Sequence, residues 1–196
     1  LSSLEGLNNL QSVGQNLVVR DNPSLTSLAG LTELQRVSRY LTIAGNTALT
    51  SLTGLDSLTS VDGIISINSN PLLTSLEGLN TLEHVQDEIM VNSNENLVSL
   101  DGLDNLAYAG ELSAGLNNNL LSLGTFDELE SIDGLGIEIW SNPKLESLGS
   151  FPKLQSVIGV RLENNDSLTS LTGLENVTTL GIFTLAGNNS LTSLTG

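Results

Sequence analysis

The chain has 196 residues, of which 41 are Leu, 25 Ser, 21 Asn, 19 Gly and 17 Thr. Its 6 Lys and Arg against 22 Asp and Glu give a formal net charge of −16, which repels phosphate groups and so disfavours binding to nucleic acid or to a membrane surface. No Cys is present, His84 is the single histidine, and no apolar run approaches the roughly 18 residues of a membrane span. We therefore expect no catalysis, no metal or other cofactor and no membrane insertion, and a partner that is a protein or a glycan.

A Ser-Leu pair recurs along the whole chain, and successive pairs lie 24, 24, 24, 24, 23, 25, 23 and 23 residues apart. The leucines of these pairs are Leu4, Leu28, Leu52, Leu76, Leu100, Leu123, Leu148, Leu171 and Leu194. A unit of this length is too short for two parallel strands joined by a crossover helix. Each unit must therefore be one coil of a solenoid, which buries its apolar side against its neighbours. The repeat predicts a single domain over residues 1–196 with about eight coils of 23–25 residues.

Each coil carries a short stretch in which inward apolar residues alternate with outward ones, as in a strand with one buried face. The apolar pairs are Leu17/Val19, Leu41/Ile43, Ile65/Ile67, Ile89/Val91, Leu112/Ala114, Ile137/Ile139, Val160/Leu162 and Phe183/Leu185. Stacked strands of this kind make one long parallel sheet, and parallel crossovers favour a right-handed coil. The rest of each coil, through to a Val such as Val13, has apolar residues spaced by three, which predicts a loop or a 3₁₀-like arc. The predicted fold is mostly β, a right-handed solenoid with such arcs on its other sides.

An Asn follows the strand in every full coil. These residues are Asn22, Asn46, Asn70, Asn94, Asn117, Asn142, Asn165 and Asn188. Because an amide both donates and accepts, an inward Asn can satisfy the unpaired backbone groups of the turn and bond to the next coil. The sequence predicts a structural ladder of asparagines along the solenoid.

An Asn after a Leu-x-Ile strand, followed by Leu-Thr-Ser-Leu-x-Gly-Leu, resembles the leucine-rich-repeat superfamily. Residues 41–46, Leu-Thr-Ile-Ala-Gly-Asn, and residues 49–55, Leu-Thr-Ser-Leu-Thr-Gly-Leu, are most similar to the receptor L-domain-type repeats of secreted and cell-surface proteins. The resemblance covers residues 1–196. It implies a noncatalytic module, extracellular or at the cell surface, that serves recognition, adhesion or surface structure.

The side chains that point outward from the predicted sheet vary from coil to coil, whereas the inward ones repeat. Positions that vary between equivalent coils are the ones a partner can shape, so we expect the binding surface there. Its centre is Trp140, because an indole among charged side chains is typical of an interaction hot spot. The predicted ligand-binding residues are Trp140, Glu138, Arg161, Glu163, Met90 and Tyr40. The alternative is structural: Trp140 would cover a neighbouring coil where the period changes.

The sequence leaves two further functions open. Because it begins at Leu1 and ends at Gly196, both inside a repeat, we expect either an uncapped segment of a longer array or a structural subunit that self-associates end to end into an extracellular filament or surface layer. A row of threonines would suit an ice-binding solenoid. The row consists of Thr26, Thr50, Thr74, Thr169 and Thr192.

Two smaller features concern ligands and modification. An acidic group has oxygen ligands suited to Ca²⁺ but lacks the spacing of a calcium loop, so a solvated acidic face is favoured. The group consists of Asp101, Asp104, Asp127 and Glu128. Among the sequons, Asn176 is the one placed to carry a glycan, because Asn165 and Asn188 belong to the ladder.

Overall fold

The computed structural model describes residues 1–195 and is all-β, with no helix in that range. The strands are β1 (Ser12–Val13), β2 (Leu17–Arg20), β3 (Arg36–Val37), β4 (Leu41–Ala44), β5 (Ser60–Val61), β6 (Ile65–Asn68), β7 (His84–Asn92), β8 (Tyr108–Gly115), β9 (Ser131–Trp140), β10 (Ser156–Glu163) and β11 (Thr179–Ala186). All of them pair in parallel within one sheet. The predicted β-solenoid with one long parallel sheet is confirmed; the prediction was mostly β, and the described residues are all-β.

The strands form two adjacent columns, so each coil contributes to the sheet twice. The short column comprises β1, β3, β5 and the first residues of β7 to β11, and the main column comprises β2, β4, β6 and the last residues of β7 to β11. In the main column Leu17 pairs with Leu41, and the pairing continues in register to Phe183 of β11. Eight main-column strands are thus connected by about seven turns of the solenoid.

The arcs that lead from the main column to the next short column are series of tight turns. The N–H of Leu31 donates to the carbonyl of Leu28 at 3.1 Å, and the N–H of Leu34 donates to that of Leu31 at 2.9 Å. Because each turn joins residues three positions apart, every third side chain points inward, and these leucines are fully buried. Within residues 1–195 no arc is a 3₁₀-helix, since a glycine with positive φ interrupts the turns of each arc, as Gly30 does with a φ of 124°. The arcs are thus loops whose hydrogen bonds join residues three apart, as the prediction of a loop or a 3₁₀-like arc allows, and none of the described arcs is a continuous 3₁₀-helix.

The segments of the short column were predicted to be part of the arcs, and this prediction was wrong. The Val that ends each leucine series was assigned to the arc, but Val37 lies in β3, where it pairs with Val13 on one side and Val61 on the other. Alternation extends over just two residues there, which is too few to distinguish a strand from a turn by pattern. Pairing with the neighbouring coils supplies the hydrogen bonds that make the segment a strand.

The asparagine column forms a continuous hydrogen-bonded ladder. The N–H of Asn46 donates to Oδ1 of Asn70 at 3.1 Å, the N–H of Asn70 donates to Oδ1 of Asn94 at 3.0 Å, and the pattern continues to Asn188. Each buried side-chain amide also donates to a carbonyl of the preceding coil, as Asn70 Nδ2 does to Ile43 O at 2.9 Å. From Asn46 to Asn165 these side chains have no exposed surface. The ladder therefore removes the cost of burying unpaired backbone groups at every turn.

The residue before each ladder Asn has a left-handed backbone. It is Asp21, Gly45, Ser69, Ser93, Leu116, Ser141, Asn164 or Gly187, with φ between 54° and 66°. Leu116 is the costly member of this set, because a bulky side chain rarely adopts positive φ. A conformation of this kind persists where the surrounding contacts over-determine it, and the adjoining Asn ladder supplies those contacts.

Candidate functional site

The main column presents two outward rows of side chains. In the first row the residues are Val18, Thr42, Ser66, Met90, Ser113, Glu138, Arg161 and Thr184. In the second row they are Arg20, Ala44, Asn68, Asn92, Gly115, Trp140, Glu163 and Ala186. Neighbours within a row lie one strand apart, about 4.8 Å. Chemistry that is scattered in the sequence is therefore brought together on one surface.

Three charged members of the predicted site meet on adjacent strands. The Arg161 guanidinium lies 3.3 Å from a carboxylate oxygen of Glu138 on β9 and 3.7 Å from one of Glu163 on its own strand. Half of the Arg161 side chain is exposed, so each ion pair contributes at most about 1 kcal/mol. Their main effect is to hold the guanidinium against the sheet.

Trp140 packs on the neighbouring coil. Its indole lies over Gly115 of β8, where a β-carbon on Gly115 would overlap the ring. The ring is half-buried, and Glu163 is its partner on the other side. One side of the indole thus covers a neighbouring coil, as in the structural alternative. The part of the ring that stays exposed belongs to the outward face.

The other two predicted binding residues lie apart from this group. Met90 is in the same row as Glu138, with Ser113 between them. Tyr40 precedes β4, four coils from Trp140 or about 19 Å along the solenoid, and its ring contacts the Arg39 guanidinium at 5.6 Å. The structure therefore does not bring Tyr40 together with the Trp140 group, because residues distant along a solenoid remain distant in space.

Two glutamates that the sequence analysis left outside the predicted site stand next to it. Glu88 of β7 pairs with Glu111 of β8. Burial raises the pKa of Glu88. A hydrogen bond with Ser113 lowers this pKa by a smaller amount, and the Glu138 carboxylate raises it by less still. Burial also raises the pKa of Glu111, and the Glu88 and Glu138 carboxylates raise it further. Negative charge is thus concentrated here beyond what Arg161 neutralises.

A groove opens beside these glutamates, at the corner where the short column meets the main column. We call it the corner groove; it has a volume of about 650 Å³ and its lining includes Asp87, Glu88, Tyr108, Glu111, Asp133 and Leu135. Tyr108 itself stacks on His84, with ring centroids 4.6 Å apart. One sequence signal could have located this groove. It is the number of residues between the last inward residue of the short column and the first inward residue of the main column, such as Ala109 and Leu112.

The acidic group considered for calcium and the asparagine considered for a glycan have ordinary surroundings. Within residues 1–195 no three His, Asp or Glu side chains cluster closely enough to hold a metal ion, and no helix could span a membrane. Asp101 accepts a hydrogen bond from Ser99 at 2.6 Å, Asp104 accepts one from Thr125 at 2.6 Å, and Glu128 pairs with Lys153. The Asn176 amide is exposed and donates to the carbonyl of Pro152 at 3.1 Å.

No protein-family model, no curated protein and no solved structure matches this chain.

Proposed function

We propose that this chain is a noncatalytic recognition or adhesion module of the leucine-rich-repeat type, with a right-handed coil, that acts outside the cell or on its surface. Its partner is a protein or a glycan, bound on the outward face of the main column. The support from the sequence is the resemblance of residues 41–55 to receptor L-domain-type repeats.

The observation that carries the proposal is the contrast between the two faces of the main column. Inward positions hold Leu, Ile, Val, Ala or Phe in every coil, whereas the outward rows run from alanine and threonine to arginine, glutamate and tryptophan. Stability requires the inward repetition, because each coil stacks its apolar side on the next. Stability does not require the outward variety, and a surface with one aromatic residue among charged ones suits a specific partner.

Trp140 with Arg161 is the proposed centre of that surface. The half-buried indole is held in place by Gly115, and the guanidinium is held by Glu138 and Glu163. A pre-positioned ring and a pre-positioned cation lose little conformational freedom on binding, which favours affinity. An indole and a guanidinium on neighbouring strands of one face can contact either a peptide or a sugar ring.

The test is selection of ligands from a random 12-residue phage-displayed peptide library and from a glycan array, each with the wild-type chain. Ligands of the proposed face should lose at least about tenfold in affinity with Trp140→Ala or Arg161→Ala, as expected for central contact residues. Val98→Ser is the matched control, because Val98 is a 43% exposed apolar residue on an arc. Circular dichroism checks that each variant folds.

The proposal fails if Trp140→Ala leaves both the fold and the binding of every selected ligand unchanged. It also fails if Val98→Ser weakens binding as much as Trp140→Ala, since the arcs would then be the binding surface.

End-to-end assembly is the alternative function. The last strand, β11, leaves Ile182 60% and Phe183 42% exposed, which is the type of surface on which a further coil stacks. Size-exclusion chromatography and electron microscopy at several concentrations distinguish the two functions. Rods that lengthen with concentration support a filament subunit, and persistent monomers contradict it.

Ice binding stays a weaker prediction. The threonine row is in register, since Thr50 N–H donates to Thr26 O at 3.2 Å, but Val98, Leu121 and Glu146 occupy its middle. Absence of thermal hysteresis would exclude this function.

A further inference from the structure

The corner groove results from unequal coil lengths. Both columns stay in register from β7 to β10, and the arc from each main-column strand to the next short-column strand has the same length, so the difference in coil length appears in the corner that joins the two columns. That corner is residues 86–88 in the fourth coil, 110–111 in the fifth, 133–136 in the sixth and 158–159 in the seventh. The shorter fifth corner therefore lies below its two neighbours and forms the floor of the groove.

Glycine is required on that floor. A β-carbon on Gly110 would lie 2.7 Å from the carbonyl oxygen of Gln86, and one on Gly134 would lie 2.5 Å from the carbonyl oxygen of Gly110. Adjacent corners thus touch through their backbones. The floor consequently carries no side chain at Gly110 and remains open to a ligand.

The groove has an exposed apolar wall. Leu135, at the tip of the longest corner, is 65% exposed, and Ile158 on the next corner is 49% exposed. Most of the lining surface is apolar, and Tyr108 contributes an aromatic ring. Exposed apolar side chains that line a concave surface mark a place that a ligand covers.

The charge around this apolar surface has one sign. Four carboxylates, those of Asp87, Glu88, Glu111 and Asp133, line the groove, and none of the described lining residues is Lys or Arg. Burial raises the pKa of Glu88 and of Glu111, so a cation that approached them would relieve an unfavourable ionised state. Arg161 is already paired with Glu138 and Glu163 and offers only partial compensation.

These features identify the chemistry of the occupant. The carboxylates do not converge in a group of three within residues 1–195, which disfavours a single metal ion. A second copy of the chain, with a net charge of −16, would be repelled. A long basic side chain fits both surfaces, because its methylenes cover apolar residues while its cationic end meets carboxylates or a tyrosine ring.

We propose that the corner groove binds a protein segment that presents an arginine or lysine side chain flanked by apolar residues. The cationic end lies between Glu88 and Glu111, and the flanking apolar residue covers Leu135. This inference rests on the proposed recognition function and names the class of partner that part of its surface takes.

The experiment is a titration of the ¹⁵N-labelled chain with the peptide acetyl-Leu-Arg-Leu-amide, followed by NMR. Saturable shifts are expected at the amides of Gly110, Glu111, Gly134 and Leu135. The same peptide with citrulline, which keeps the shape of arginine but not its charge, should bind at least about tenfold more weakly, and so should the wild-type peptide with the Glu88→Gln/Glu111→Gln variant. Leu135→Ser should weaken binding about fivefold through lost apolar contact.

Two control variants separate the groove from other surfaces. Glu33→Gln/Glu77→Gln removes the same number of charges from exposed positions on the arcs and should leave the affinity unchanged. Val98→Ser should also leave it unchanged, because Val98 is exposed on an arc and is outside the groove lining.

The proposal is overturned if citrulline binds as tightly as arginine, if the arc variant weakens binding as much as the groove variant, or if no saturable shift occurs up to about 10 mM peptide. Shifts at Trp140 and Arg161 without shifts at Gly110 would overturn the groove and leave the proposed function standing. If the peptide binds the groove but Trp140→Ala leaves every selected ligand bound as before, the outward face is overturned as the binding surface and the groove stands.

Discussion

The first four coils and the last four coils stack in the same way, but the corners that join their short and main columns differ in length. In residues 1–96, which we call the regular half, every coil has a three-residue corner, namely residues 14–16, 38–40, 62–64 and 86–88. In residues 97–195, the irregular half, the corners are residues 110–111, 133–136, 158–159 and 181–182. The core is the same on either side of this change, since the inward side chains of the main column are buried in both halves from β4 to β10. A solenoid can therefore reshape its surface at one corner and keep its interior constant.

The arcs of the two halves also differ. In the regular half a Gly directly precedes the third leucine, as Gly78 precedes Leu79, with a φ of 110°. In two arcs of the irregular half the glycine lies one place earlier, as in Gly124-Thr125-Phe126, and Thr125 forms a bridge with Ser150 of the next coil, whereas Gly102 and Gly173 keep the regular position. Phe126 and Phe151 then replace leucine and stack with ring centroids 4.8 Å apart. The larger rings fill the space that the altered turn creates.

The largest expected effect concerns what the two halves share, the asparagine ladder. Asn70→Ala leaves the Asn46 N–H and the Ile43 carbonyl without their partners, and Asn142→Ala does the same to the Asn117 N–H and the Ala114 carbonyl. Two buried groups at about 1–3 kcal/mol each predict a loss of about 2–6 kcal/mol in either half. Urea unfolding followed by circular dichroism measures it.

Asn96→Ala is the control for the ladder variants, because Asn96 is exposed in a turn. Its effect should be within about 0.5 kcal/mol. Equal losses for Asn96 and Asn70 would contradict the ladder, and a much smaller loss for Asn142 than for Asn70 would show that the irregular half does not depend on it.

A smaller effect should distinguish the irregular half, through its phenylalanine pair. Phe126→Ala should lower the free energy of unfolding by about 3–5 kcal/mol, since the ring is fully buried. Replacement of both rings by the leucine of the regular half, Phe126→Leu with Phe151→Leu, should reveal a coupling of about 0.5–1.5 kcal/mol in a double-mutant cycle. The fluorescence of Trp140, the single tryptophan, follows this half of the chain. Strict additivity would mean that the stacked rings contribute only as separate apolar groups.

The smallest effect concerns pH and the corner groove. Because the pKa values of Glu88 and Glu111 are raised above 4.5 in the folded chain, the folded state holds protons that the unfolded state releases. Stability from these groups is therefore present at pH below about 4.5 and is lost as pH rises through their folded pKa values. Glu88→Gln/Glu111→Gln should reduce the decrease in urea midpoint between pH 4.5 and neutral pH.

The matched control for the pH experiment is Glu33→Gln/Glu77→Gln, which removes the same charge from exposed arc positions. It separates the groove from the general repulsion of a chain with a net charge of −16. If both double variants flatten the pH dependence equally, the groove glutamates have no special role.

Much of the fold could be predicted from the sequence. The main-column strands, their register and the position of every ladder Asn follow from repetition, because residues such as Ile65 and Ile89 recur at the coil length with the same alternation around them. The proposed binding surface was predictable in part, since the outward rows follow from the same alternation. Its neighbours Glu88 and Glu111 directly precede the inward residues Ile89 and Leu112, but nothing in their spacing indicated their burial.

The period and the alternation of residue types determined the solenoid, the single parallel sheet and the interior columns. Only the tertiary structure decided that the short column joins that sheet, that the Trp140 indole lies on Gly115, and that the corner at Gly110 lies between two longer corners. The physical reason is that repetition specifies which residues stack, whereas a difference of one residue in coil length can be absorbed anywhere along a coil. The registry of both columns, together with arcs of equal length between them, confined this difference to the corner.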